Sequence, residues 1–130
     1  MPKKDIKHSR PDQRELAKIA KAAPSWRARR AAVDLLTDAA LLADVGKNAG
    51  GWSIRKAAVA KLDPRRYQSL FAELAKTDDH LVVRLAVVER MTDPLLLTDV
   101  ARYAKDPAVR TAARDRLIVL GSRGNDDAEK

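Results

Sequence analysis

The chain has 130 residues, a formal net charge of +8 and no cysteine. That length suits one domain with a modest core, and the missing thiol excludes disulfides, thiolate catalysis and iron–sulfur ligation. No apolar run approaches the ~20 residues of a membrane span and the opening MPKKDIKHSRPD lacks an apolar signal core, so the expectation is a soluble, cytoplasmic protein.

Residues 1–11 carry Lys3, Lys4, Lys7, His8 and Arg10 and are predicted to form a flexible basic arm. Apolar spacing then predicts eight helices, near 12–22, 26–37, 39–48, 52–62, 66–77, 80–92, 95–105 and 107–119. The punctuation between them agrees. Pro24–Ser25 supplies a break and a cap, and Gly50–Gly51 interrupts the chain before Trp52. Asp93–Pro94 and Asp106–Pro107 each place an N-cap before a proline at the first helical position. The closing GSRGNDDAEK, residues 121–130, has no apolar residue large enough to anchor it and is predicted to be disordered. Residues 12–120 remain as the folded domain.

Four words within that domain share a register: WRARRAAVDLLTD, WSIRKAAVAKLDP, LVVRLAVVERMTD and PAVRTAARDRL. Arg29, Arg55, Arg84 and Arg110 coincide, with Ala31, Ala57, Ala86 and Ala112 two residues later and Leu36, Leu62, Met91 and Leu117 seven later. Upstream, Leu16, Leu42, Phe71 and Leu97 match, as do Ile19, Val45, Leu74 and Val100. Self-similarity of this period indicates a helical-repeat array. Each unit resolves into a helix A and a helix B, and the expected architecture is an all-α, right-handed α-solenoid of four short helix pairs. A three-residue insertion falls at Pro64–Tyr67, in a turn, where repeat proteins absorb changes.

Ile54-Arg55, Ala57-Ala58-Val59 and Leu62-Asp63, together with Val83-Arg84, Ala86-Val87-Val88 and Met91 to Asp93, resemble the short HEAT-like repeats of bacteria and archaea, including the phycobilin-lyase type. The resemblance covers about residues 12–119. It implies a binding scaffold, since members of that class act mostly as scaffolds and some bind nucleic acid. It also implies a structural role for Arg29, Arg55, Arg84 and Arg110, because the matching arginine in HEAT-like repeats bonds acidic or carbonyl groups at turns. Asp38, Asp63, Asp78, Asp79, Asp93 and Asp106 are available acceptors. A guanidinium offers five donors in a planar fork, which suits a strut between turns. The competing reading is a stripe that contacts nucleic acid.

The basic excess itself is N-terminal. Residues 1–30 hold ten Lys/Arg against three acids, whereas residues 31–120 hold fourteen against twelve. Lys3, Lys4, Lys7, Arg10, Lys18, Lys21, Arg27 and Arg30 are therefore the polyanion-binding candidates, set against a solvated end cap. Trp26 and Trp52 share a repeat position whose counterparts are Leu81 and Pro107. That substitution pattern suggests a packing slot between helices; the alternative is an aromatic patch for a protein partner or for base stacking. Tyr67 and Tyr103 are further candidates for such a patch.

Catalytic chemistry is poorly supplied. Asp78, Asp79 and His80 read as a helix cap with a following histidine rather than as metal ligands. No phosphate loop, nucleophile elbow or paired carboxylates appear, and no cofactor is implied. The expected function is a non-catalytic protein–protein interaction scaffold. The alternative is nucleic-acid or ribonucleoprotein binding through the basic arm and the first repeat.

Overall fold

The computed structural model describes the backbone of residues 11–129 and the side chains of residues 11–123. The expected basic arm, with Lys3, Lys4, Lys7 and Arg10, lies outside the described residues up to position 10. Among the described residues the chain is all-helical and contains no strand. The helices are α1 (Gln13–Ala22), α2 (Trp26–Leu35), α3 (Ala39–Asn48), α4 (Trp52–Ala60), α5 (Gln68–Thr77), α6 (Leu81–Glu89), α7 (Pro94–Tyr103) and α8 (Pro107–Glu129).

The starts are set by side chains that accept the first free amides. Asp12 accepts from Glu15 N at 2.8 Å, Ser25 from Ala28 N at 3.3 Å and Asp38 from Leu41 N at 3.0 Å. Asp93 accepts from both Leu95 N and Leu96 N, with Pro94 in the first turn. The odd-numbered helices all stop in the same way. Ala23, Ala49, Asp78 and Ala104 turn to extended ψ angles of 138–146° while still donating to the carbonyl four residues back. The turn into the next helix needs no residue of positive φ.

Three helix-B ends fall earlier than the sequence predicts. α2, α4 and α6 stop at Leu35, Ala60 and Glu89. Leu36, Leu62 and Met91 then fold into the core, fully buried, from non-helical backbone. Leu36 N donates to Ala32 O and Val33 O at once, a tightened last turn. The insertion at Pro64–Tyr67 forms a turn closed by Arg66 N to Asp63 O at 3.0 Å, which delays α5 to Gln68. Arg65 bonds the Asp63 carboxylate there and holds its pKa below the ordinary value. At the other end α8 runs to Glu129, not to 119, so the backbone of 121–129 is helical where a disordered tail was expected.

The chain divides into two compact units at Leu62 and Asp63, beside that insertion. In the first unit α1 pairs with α2 and α3 with α4, while α1 lies against α3 and α2 against α4. In the second, α5 pairs with α6 and α7 with α8, while α5 lies against α7 and α6 against α8. Each unit is thus two consecutive helix pairs stacked in a solenoid-like repeat. Helices of nine or ten residues are marginal alone, so the shared core holds them. Leu16, Val33, Leu42, Val45, Ile54 and Val59 fill it in the first unit; Phe71, Leu74, Val83, Val87, Leu97 and Val100 fill it in the second. Burying each such large side chain contributes roughly 1.5–3 kcal/mol. Gly46 lets α3 and α4 approach closely, because a Cβ there would sit 3.0 Å from Val59 Cγ2. No described helix is long and apolar enough to cross a membrane.

Candidate interaction surface

The four register arginines hold the helix pairs together. Each donates from Nη1 to the carbonyl six residues earlier, the C-cap of the preceding helix. Arg29 reaches Ala23 O at 3.1 Å, Arg55 reaches Ala49 O at 2.9 Å, Arg84 reaches Asp78 O at 2.6 Å and Arg110 reaches Ala104 O at 2.7 Å. The carbonyl left unpaired by the end of helix A is the natural acceptor, one of the two kinds, acidic or carbonyl, expected for these arginines. Arg84 adds a carboxylate, with Nη2 3.3 Å from Asp106 Oδ2. Arg55 is buried and the other three are half-buried. They do not form an exposed stripe.

Other polar side chains recur in the same structural work. Gln13 Oε1 accepts from Thr37 N and Asp38 N, and Gln68 Oε1 accepts from Thr92 N and Asp93 N. Lys61 Nζ donates to Val33, Asp34 and Leu36 carbonyls at the end of α2, and Arg116 Nε donates to Met91 O after α6. Both cations sit six residues after a strut arginine. Lys21 pairs with Asp44 at 2.7 Å, and Lys76 pairs with Asp99. The Lys21 ammonium, then the Asn48 amide, holds the Asp44 carboxyl below its ordinary pKa. Lys21 is therefore occupied within its unit, unlike exposed Lys18 on the same helix.

Trp26 and Trp52 are the largest departure from the expected packing slot. They are 59% and 41% exposed. Each is the first residue of its helix. A helical side chain tilts toward the N-terminus, so a first-turn side chain projects past the helix end, beyond the partner that covers Ile54 or Val33. The periodicity places these residues near the apolar stripe, but the stripe is covered only further along. Arg27 lies over the Trp26 ring, 5.7 Å from its centroid. At an exposed site that contact is worth about 0.5–1 kcal/mol.

α2 and α4 lie side by side within the first unit. Their exposed face carries Trp26, Arg27 and Arg30 from α2 with Trp52 and Lys56 from α4. Arg30 also reaches Asp34 one turn on, at 3.3 Å with both side chains more than half exposed. Lys56 was not among the polyanion-binding candidates because it lies beyond residue 30, outside the N-terminal basic excess. The signal for it was its register, one residue after a strut, as is Arg30. Tyr67 and Tyr103 belong to the second unit. Tyr67 is half-buried ahead of α5, and Tyr103 is 68% exposed at the end of α7.

Two clefts remain. One, of about 600 Å³, lies in the second unit between Lys76, Asp78, Asp79, Arg84, Lys105 and Asp106. Lys76 and Arg84 there are already paired with Asp99 and Asp106. The other, of about 490 Å³, borders Asp12, Gln13 and Asp38, all three engaged in capping or turn bonds. His80 Nδ1 accepts from Val82 N at 3.1 Å and Asp78 accepts from His80 N, so both side chains shape the start of α6. No group of three or more potential metal ligands occurs among the described residues. Comparison of the chain with family models, curated proteins and solved structures finds no match to any of the three.

Proposed function

We propose that the protein is a non-catalytic, HEAT-like interaction module of the cytoplasm that engages a protein partner through the α2–α4 face of its first unit. The observation that carries this reading is the pair of exposed tryptophans at one repeat position on adjacent helices. Exposed Trp is costly to leave in water, and Trp with Arg is the composition of binding hot spots. Many polar groups of the repeat are engaged in struts, caps and ion pairs, whereas Trp26, Arg27 and Arg30 stand exposed on this face. The test is copurification after nuclease treatment and a high-salt wash, with wild type beside a Trp26→Ala/Trp52→Ala variant of matched helical circular dichroism. A stoichiometric protein held by wild type and lost from the variant is the expected result.

The Arg27–Trp26 contact also suits a base stacked beside a cation, which favours nucleic acid as a second reading. In that case the exposed Arg27, Arg30, Lys18 and Lys56, together with the basic arm, would follow the backbone. Release would then be steep in salt. RNA or DNA recovered in place of protein would select this reading over the first.

A further inference from the structure

The second unit shows the strut arginine bonded through both of its terminal nitrogens. Arg84 Nη1 bonds Asp78 O, and Nη2 bonds the carboxylate of Asp106, the residue that precedes α8. The equivalent residue ahead of α4 in the first unit is Gly51. It has no side chain, and α4 has no side-chain cap. Arg29 still bonds Ala23 O through Nη1. Its Nη2 lies 3.7 Å from the point where a Cβ on Gly51 would stand. Among the described residues no carboxylate takes the place that Asp106 fills for Arg84.

That vacant acceptor position lies at the start of α4, where Trp52 is the next residue, with Trp26 at the same position of neighbouring α2. The exposed cations of the two helices, Arg27, Arg30 and Lys56, outnumber the one exposed acid beside them, Asp34. The geometry points to an acidic protein segment as the occupant of this face, with one Asp or Glu carboxylate of the partner bonding Arg29 in the way Asp106 bonds Arg84. This rests on the interaction surface proposed above and names the chemistry of its partner. A charge-assisted bond to a half-buried guanidinium fixes register, while the tryptophans supply apolar contact.

Gly51 offers a direct test. Its φ of −106° suits any L-residue, and a Cβ there meets only ordinary contacts. Gly51→Asp supplies the carboxylate from within the chain. Gly51→Ala adds the Cβ without it. The probes are a fluorescent peptide of ten glutamates ending in two leucines, a ten-serine counterpart, and a ten-nucleotide oligothymidylate, each measured by anisotropy on the full chain. Wild type and Gly51→Ala are expected to bind the acidic peptide within twofold of each other, and Gly51→Asp at least tenfold more weakly. Gly51→Asp is also expected to melt about 4 °C higher, from its new cap and ion pair. Undiminished acidic-peptide binding by Gly51→Asp overturns the inference, as does equal binding of the serine peptide or a preference for the oligonucleotide. The broader surface reading fails separately, if Trp26→Ala/Trp52→Ala leaves binding of the copurified protein partner unchanged.

Discussion

The two units are built by the same devices and differ in what they show to solvent. Gln13 and Gln68 receive the same pair of turn amides, Lys21–Asp44 repeats as Lys76–Asp99, and Lys61 and Arg116 hook the end of the previous helix B. The strut arginines bond the same carbonyl in both. On the outer face the likeness ends. Where the first unit has Trp26, Arg27 and Arg30 on α2, the second has Leu81, Val82 and Leu85 on α6. Where α4 has Trp52 and Lys56, α8 has Pro107 and Thr111. Residues that recur at one register hold the repeat together. Residues that depart from it differ between the units, and in the first unit they are aromatic and basic.

The largest expected effect separates the two faces. Trp26→Ala/Trp52→Ala is expected to weaken partner binding by about 2–4 kcal/mol, the size of a hot spot, while the melting temperature shifts little because both rings are substantially exposed. Leu81→Ala/Val82→Ala, at the matching place in the second unit, is expected to leave binding intact. Equal losses from the two variants would erase the distinction between the faces.

Next in size is Arg55→Ala. The residue is 7% exposed and bonds Ala49 O at 2.9 Å. Its removal leaves a helix-end carbonyl without that donor and removes the packed stem, at a cost of about 2–3 kcal/mol. Urea denaturation is expected to show a lower midpoint with an unchanged slope. A variant of wild-type stability that has lost its partner would return the arginines to a binding role. Gly51→Asp comes third, with a gain of about 1 kcal/mol in the first unit, a few tenths from the cap and the rest from the half-buried ion pair. Asp106→Gly, the reverse change in the second, is expected to lose a similar amount.

The smallest effect is on pH. The Asp44 carboxyl is held below its ordinary value by Lys21, so its folded-state pKa lies below that of the unfolded chain. Its contribution is present above the unfolded carboxylate pKa of about 3.9 and is lost as pH falls through the folded value. Both side chains are about one-third exposed, so screening keeps the effect under about 1 kcal/mol. Lys21→Met is expected to flatten the fall in stability below pH 4, and added salt to narrow the difference between variant and wild type.

Much of the scaffold was legible in the sequence. The arginine register, the Asp–Pro starts and the apolar spacing located the eight helices of the described residues, because backbone caps and core burial leave local marks. Helix-B ends were less legible. Leu36, Leu62 and Met91 continue the apolar pattern, yet they reach the core from outside the helix. Acceptor identity was hidden too, since every residue has a carbonyl and only the fold shows that Ala23, Ala49, Asp78 and Ala104 present theirs to the arginines. Trp26 and Trp52 misled for a related reason. Register gives a residue's angular position around a helix but not how far along it the cover extends. The Arg29–Gly51 vacancy was visible only beside the completed pair of Arg84 and Asp106.

The most direct test of the account is an affinity measurement on the copurified partner, comparing wild type with Trp26→Ala/Trp52→Ala and with Leu81→Ala/Val82→Ala at equal helical content. The account predicts that binding falls at least thirtyfold in the tryptophan variant and stays within twofold in the leucine–valine variant. Retained affinity in the tryptophan variant, or loss confined to the leucine–valine variant, would contradict it.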